Sequence, residues 1–457
     1  MKKKVLMMTI AITSIGVMLG CDAGRISSVN PGNESVKIEE GSDIQADTEA
    51  SRDIKGEAES VDTTNDNSEA KENMTEAEKE GQFEKIENNN GNYVKCGNKI
   101  FYHKPVKEAL DATSITFPYL IGCTAESVLC EYDVTTKAVK ELCTDNPSGK
   151  LSISNGYLYI DQNADSEGNG EYSVKVISID GKNEATMPDE ILEGASEDGT
   201  YVATMKYADG KAMMCIYTGN TKISEYDIER FSEFITITND KVVYLALTDK
   251  SDIYDYEVRS FDINTGEIIT LGELGTNDNG TPYSSACQKY SDGNVVYFST
   301  GAYEGTGHFF AGGKWICVDI TKADSLTAME VSSPPENGEP TAFVVENEQM
   351  KEAEGIPMTA KVAYEPDYGK LFIYDEAGKG TAIAEGYETV YNDETDTMVT
   401  VDTAECMGDY VVLTKLNLTH VPSDDIGWRY AYKRDNVSIY VYNIKTQEME
   451  QIDNVGR

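Results

Sequence analysis

From residue 91 onward, short apolar runs recur along the chain, each entered through a polar or turn-forming stretch. They read Lys99-Ile-Phe-Tyr102, Tyr157-Leu-Tyr-Ile160, Lys241-Val-Val-Tyr244, Asn294-Val-Val-Tyr-Phe298 and Tyr410-Val-Val-Leu413. After a hairpin of variable length comes a second alternating stretch that closes on Asp or Asn and a turn. Its examples are 127–134 before Thr135-Thr136, 256–263 before Asn264-Thr-Gly266, 314–320 before Thr321-Lys322 and 437–444 before Lys445-Thr446. Alternation with a period of two, punctuated by Asx, Gly and Thr turns, predicts paired β-strands rather than helices.

The pairs recur about every 40–55 residues, the period of propeller blades. The predicted units span 91–146, 150–190, 193–230, 234–275, 283–333, 341–387 and 390–454. In the third unit the strands are Tyr201-Val-Ala-Thr-Met205 and 212–217. In the sixth they are 359–364 and Lys370-Leu-Phe-Ile-Tyr374. The expected fold class is all-β, a β-propeller of seven four-stranded blades. An array of β-sandwiches uses similar strands but needs self-contained groups of about 100 residues, a poorer match to continuous short units. Glu448-Met-Glu-Gln-Ile452 suits the outer strand of the last blade, and Phe83-Glu-Lys-Ile86 is the one N-terminal candidate for sharing it. The repeats resemble those of β-propeller lipoproteins of Gram-positive bacteria. That resemblance implies an architecture and no reaction.

In a four-stranded meander all hairpins between second and third strands open on one end. Here they are long in units 1 (104–125), 2 (162–170), 5 (301–313) and 7 (417–436), and insertions confined to one face mark a binding face. All three histidines, His103, His308 and His420, fall in or beside these hairpins, with Trp315 just past one of them. The unit 5 hairpin offers Tyr303, His308, Phe309 and Phe310 among glycines. The unit 7 hairpin offers His420, Asp424, Asp425, Trp428, Arg429 and Tyr430. Aromatic rings with Arg and carboxylates suit a glycan or peptide surface. Long hairpins that bury their own aromatics are the plainer reading of the same residues. Metal-ligand spacing is absent around the histidines. Asp161, Asn163 and Asp165 alternate like the start of a calcium loop but lack its glycine and its bidentate Glu. No cofactor is expected.

The amino terminus has a different character. Lys2, Lys3 and Lys4 precede an uncharged stretch, 5–19, that ends in Gly20-Cys21. About 15 such residues are too few for a membrane span, which takes ~20, so a secretory signal is the natural reading, with an ordinary signal peptide or a short membrane helix as rivals. Val17-Met18-Leu19-Gly20-Cys21 resembles the lipobox of bacterial lipoproteins. The resemblance implies a diacylglyceryl group on Cys21, cleavage after Gly20, and a protein held at the extracytoplasmic face of the cell membrane. Residues 21–90 are crowded with Glu, Asp, Asn, Ser, Thr and Lys, too polar to offset the entropy of ordering, and predict a disordered acidic linker. Some 70 flexible residues reach on the order of 45 Å.

The chain carries 80 acidic against 39 basic side chains, a net charge of −41, which excludes a phosphate-binding stripe and hence nucleic acid. Of nine cysteines, Cys21 is assigned to lipid. Cys130, Cys215 and Cys317 fall at equivalent strand positions and read as small buried residues, with a bond among Cys96, Cys123 and Cys143 as the exception to expect. No Gly-x-Ser-x-Gly elbow, His-Glu-x-x-His helix or phosphate loop is present. The expected function is a surface-tethered binding or scaffolding module for a glycan, peptide or envelope protein. The alternative is a carboxylate-dependent polysaccharide hydrolase or lyase, and a purely structural envelope component is a third reading.

Overall fold

The computed structural model describes residues 85–111, 126–145, 147–162, 172–208, 211–248, 255–277, 280–303, 309–329, 361–365, 370–374, 380–385, 390–392, 395, 397–421 and 431–456. Cys21, the signal stretch and the linker up to residue 84 lie outside the described residues.

Among the described residues the strands form seven sheets in chain order, spanning 86–145, 147–188, 190–227, 231–273, 285–329, 361–385 and 390–456. They are numbered 1 to 7 below. Each strand pairs antiparallel with the next in sequence. Sheets 2 to 5 have four strands, and sheet 6 has three described ones. Sheets 1 and 7 have five, because a short extra strand lies ahead of the usual first one: Ile86–Glu87 in sheet 1 and Val390–Asn392 in sheet 7.

The second strands are buried on both faces, which explains why they read as near-continuous apolar runs. Val242, Val243, Tyr244, Leu245 and Ala246 are all buried, and alternate members face opposite neighbours. Tyr244 packs with Met205 and Ile216 of sheet 3, while Val243 and Leu245 pack with Val296 and Phe298 of sheet 5. In the same way Phe101 and Leu129 of sheet 1 meet Leu151 and Leu158 of sheet 2, and Val174 and Val176 of sheet 2 meet Val202 and Cys215 of sheet 3. Ile100, Tyr102 and Tyr132 of sheet 1 meet Val412, Ile439 and Val441 of sheet 7. The last sheet thus packs on the first. The first strands of neighbouring sheets also run side by side, sheet 6 beside sheet 7 included. Face-to-face stacking of consecutive sheets, with ends meeting, makes the domain a β-propeller and sets the sandwich array aside.

The repeated Asp/Asn-turn motif has a single structural cause. Asp133 Oδ1 accepts from the Thr135 and Thr136 amides, Asp262 Oδ1 from Asn264 and Thr265, and Asn443 Oδ1 from Lys445 and Thr446. Each is an Asx turn joining the third strand to the fourth. The apolar residue that follows donates its own amide to the turn between strands one and two. Val134 donates to Asn98, Ile263 to Asp240, Ile320 to Asn294 and Ile444 to Asp409, at 2.8–2.9 Å. The two turns of a sheet are thereby tied together at one end. The motif that reveals the repeat builds the fold and marks no ligand.

These turn carboxylates set the acid response. Donors on the Asp133, Asp262 and Asp319 carboxylates hold them below the usual range, Asp319 at about 2 chiefly through Lys322 and Thr321. Stability contributed by a depressed carboxyl is fully present above the unfolded value near 3.8 and is lost as pH falls through the folded one. Thermal unfolding temperature should therefore drop between pH 4 and pH 2, and less so in Asp319→Asn. At pH 7, Asp262→Ala should cost about 1 kcal/mol in urea unfolding.

Candidate functional site

The turns between first and second strands of neighbouring sheets touch one another. The Asn155 amide donates to Gly199 O at 3.0 Å, Tyr201 OH to Asp240 at 2.8 Å, and Asn239 Nδ2 to Asn294 at 2.9 Å. These contacts join sheets 2 to 3, 3 to 4 and 4 to 5 at one end, the turn end. Because strand direction alternates, the hairpins between second and third strands emerge together at the other end. The described strand ends that lead into the long hairpins of sheets 2 and 5 lie at that end.

Among the described residues, the strands of sheets 5 and 7 project furthest there. In sheet 7 the second and third strands, Tyr410–Val421 and Ala431–Asn443, exceed those of sheet 2, Tyr157–Gln162 and Ser173–Ser178. At ~3.3 Å per residue the second-strand arm runs roughly 20 Å further. In sheet 5 the corresponding strands are Val295–Tyr303 and Phe309–Asp319. Tyr303 pairs in register with Phe309, and Ala302 with Phe310, at the tip of this arm. His420 pairs with Tyr432 near the tip of the sheet 7 arm. His308, Asp424, Asp425, Trp428, Arg429 and Tyr430 lie outside the described residues, as do Asn163 and Asp165. The part of the sheet 1 hairpin that is described folds onto the sheet 7 arm. The short 3-10 turn Lys107–Asp111 buries Leu110 against Leu416, Leu418 and Val437. That hairpin at least secures a neighbour as well as presenting a surface.

Three residues in or beside the predicted hairpins are buried in the fold. His103 is buried between sheets, its Nε2 3.1 Å from Asp145 Oδ2, and Asp145 is buried too. It contributes nothing to the exposed hairpin surface. Trp315 is only 2% exposed and belongs to the interior. Asp161, the first member of the calcium-like loop, is buried and accepts from the Leu192 amide of sheet 3 at 3.2 Å. Cys143 is a thiol, so it forms no bond with Cys96; Cys123 lies outside the described residues. Burial pushes Cys130 up to about 12, and Cys143, Cys215 and Cys406 to about 11, which leaves these thiols un-ionised and inert.

Buried carboxylates form a set that the sequence alone does not reveal. Glu233 in the first strand of sheet 4 (Phe231–Thr238) accepts from Ser285 Oγ at 2.8 Å and the Ala286 amide at 3.1 Å, and pairs with Lys289 at 3.3 Å, all in sheet 5. Glu405 of sheet 7 accepts from Asn88, Asn92 and Tyr93 of sheet 1. Glu190 accepts from Tyr217 OH at 2.7 Å and from Thr204 Oγ1, and lies 3.6 Å from Lys222. With Asp145 and Asp161 these groups are committed to bonds within and between sheets. Alternation places them on the strands but cannot say which partner, dozens to hundreds of residues away, they meet.

The chain matches no protein-family model and no curated protein. Among solved structures it is similar to the β-propeller domain of the Trilobed protease from Pyrococcus furiosus, at 13% identity over 78% of this chain and 92% of that one, with a TM-score of 0.41. It is also similar to an acylaminoacyl peptidase from Pyrococcus horikoshii, at 11% identity over 82% of this chain and 53% of that one, TM-score 0.40. A third is a putative TolB from Agrobacterium tumefaciens, at 12% identity over 72% of this chain and 90% of that one, TM-score 0.27. This chain spans about half the length of the peptidase. At these scores none of them lends a residue or a reaction to this chain.

Removing an inter-sheet acceptor should be costly. Glu233→Ala strands an amide, a hydroxyl and the Lys289 ammonium, and should lower stability by about 3 kcal/mol in urea unfolding. Unchanged stability would mean the carboxylate is held for another purpose.

Proposed function

We propose that the protein is a lipoprotein anchored through Cys21, and that its hairpin end binds an extracellular glycan, peptide or envelope protein. One observation carries the reading. The first described residue, Lys85, accepts at its carbonyl from the Gly97 amide in the sheet 1 turn, and Ile86 and Glu87 lie against the turn glycines Gly199 and Gly408. The chain therefore joins the domain at the turn end, opposite the long arms of sheets 5 and 7. A tether on that side directs the hairpin end away from the membrane.

The chemistry of the hairpins favours a neutral or polar extended ligand. Tyr303, Phe309 and Phe310 in one arm, and Trp428, Arg429 and Tyr430 in the other, combine stacking surface with hydrogen-bond donors. The strongly acidic balance favours cationic or neutral partners over anionic ones. The buried carboxylates described above are engaged in holding sheets together, which favours binding over carboxylate-dependent hydrolysis.

Two measurements test the reading. Cys21→Ser should abolish incorporation of labelled palmitate and move the protein from the membrane fraction to the medium. Full-length protein should be retained on purified peptidoglycan or on one of a panel of immobilised polysaccharides. Trp428→Ala should weaken that retention at least tenfold, with no soluble product released. Product release abolished by an Asp→Asn change in a hairpin would replace the binding reading with a hydrolase or lyase. Retention unaffected by Trp428→Ala and Tyr430→Ala together would move the site elsewhere.

A further inference from the structure

The extra strand of sheet 1 lies on the side of Val94–Cys96 away from the rest of its sheet. Ile86 pairs with Cys96, and Glu87 with Lys95. In a propeller that side is the axis. The turn between the two strands, Asn88-Asn-Asn-Gly-Asn92, reaches three other sheets.

Asn89 uses both ends of its amide on one residue of sheet 2. Its Oδ1 accepts from the Ile153 amide at 2.7 Å, and its Nδ2 donates to Ile153 O at 3.0 Å and to Ser196 O of sheet 3 at 2.8 Å. Asn90 repeats the arrangement on sheet 3, accepting from the Ala195 amide at 2.5 Å and donating to Ala195 O at 2.9 Å. The backbone joins in, with the Asn90 amide on Leu151 O at 3.0 Å and the Leu151 amide on Gly91 O at 2.8 Å. Asn88 and Asn92 turn the other way, donating to Glu405 of sheet 7 at 2.6 Å each. Two asparagine amides thus stand in for peptide groups, completing inner strand edges that would otherwise face the axis with unpaired polar groups.

We propose that residues 85–93 form a detachable axial strap. It closes the ring from within, across sheets 7, 1, 2 and 3, and it is the first part of the domain to yield when the chain preceding Lys85 is pulled. The strap is held by hydrogen bonds and only two strand pairs, whereas the sheets are held by buried apolar layers. Its apolar anchors are two: Ile86, packed against Leu151, Ile153 and their neighbours, and Tyr93 where it enters the sheet, in the layer shared with sheet 7. Attachment and ring closure therefore share one small set of polar bonds, and the strap can release without unfolding the sheets.

Two readouts on the full chain test this. In Asn89→Ala/Asn90→Ala, hydrogen exchange at the Ile153 and Ala195 amides should rise at least tenfold, while Val243 and Leu245 of sheet 4 keep wild-type rates. Single-molecule extension between a handle before Lys85 and one at Arg457 should show an early event of roughly 30 Å, the length of nine residues at ~3.4 Å each. The early event should come at lower force in the double variant. Uniform acceleration of exchange over all sheets, no change at Ile153 and Ala195, or a single release of strap and sheets together would each overturn the proposal. Gly199→Ala serves as a second variant that keeps every asparagine. Its Cβ would collide with Ile86 at a residue whose φ is +70°, so the same two amides should again exchange faster.

Discussion

The structure depends on closing a ring at the seam between its first and last sheets. Among the described residues, every strand of sheet 7 comes from 390–456 and every strand of sheet 1 from 86–145, so none is shared across the seam. Closure is left to side chains, which act in three zones. At the axis, Glu405 gathers donors from Asn88, Asn92 and Tyr93. In the middle, Tyr93, Ile100, Tyr102, Met407 and Val412 form an apolar layer. At the rim, Lys104 pairs with Asp453 at 3.0 Å and Tyr132 OH donates to Glu450 at 2.9 Å. The apolar layer supplies most of the free energy, at roughly 25 cal/mol per Å² buried. The polar zones fix the register, because a slip would leave a buried carboxylate without donors.

That division explains why the two ends of the domain differ. At the turn end each loop is short and bonded to its neighbours, so its sequence is held to Asx residues, glycine and one apolar residue. At the hairpin end Leu110 alone among the described hairpin residues of sheet 1 is drawn into a core, and the arms of sheets 5 and 7 extend past their neighbours. A binding surface built there can change without disturbing closure.

Much of this was legible in the chain. The predicted units 150–190, 234–275 and 390–454 fall within a few residues of sheets 2, 4 and 7, because a strand buried on both faces leaves an apolar run that turn residues bracket. The faint third and sixth units are sheets as well, since Val202–Ala208 and Lys361–Glu365 keep their place in the repeat despite unusual side chains. The strap was not legible. Asn88 to Asn92 has the composition of a linker, and the partners its side chains meet in other sheets lie 62 to 317 residues away. Nor could Phe83–Ile86 be recognised for what it does: Ile86 pairs at the axis and not at the outer rim. His103 misled for a related reason. It adjoins the predicted hairpin, yet Asp145, 42 residues on, holds it inside.

The carboxylates divide along the same lines, and their pH responses have opposite signs. Those in the turns are surrounded by donors and held low, so they stabilise the fold above pH 4. Glu405 keeps part of its surface exposed, but burial of its oxygens pushes its carboxyl up in spite of the surrounding donors. A raised carboxyl stabilises most below its unfolded value and loses that contribution as pH rises through the folded one. Protonation of Glu405 and protonation of the turn carboxylates therefore pull stability in opposite directions. A domain built this way keeps its acidic residues busy with architecture. The inter-sheet carboxylates Glu233 and Glu405 and the turn carboxylates Asp133, Asp262 and Asp319 are engaged in the fold in this way.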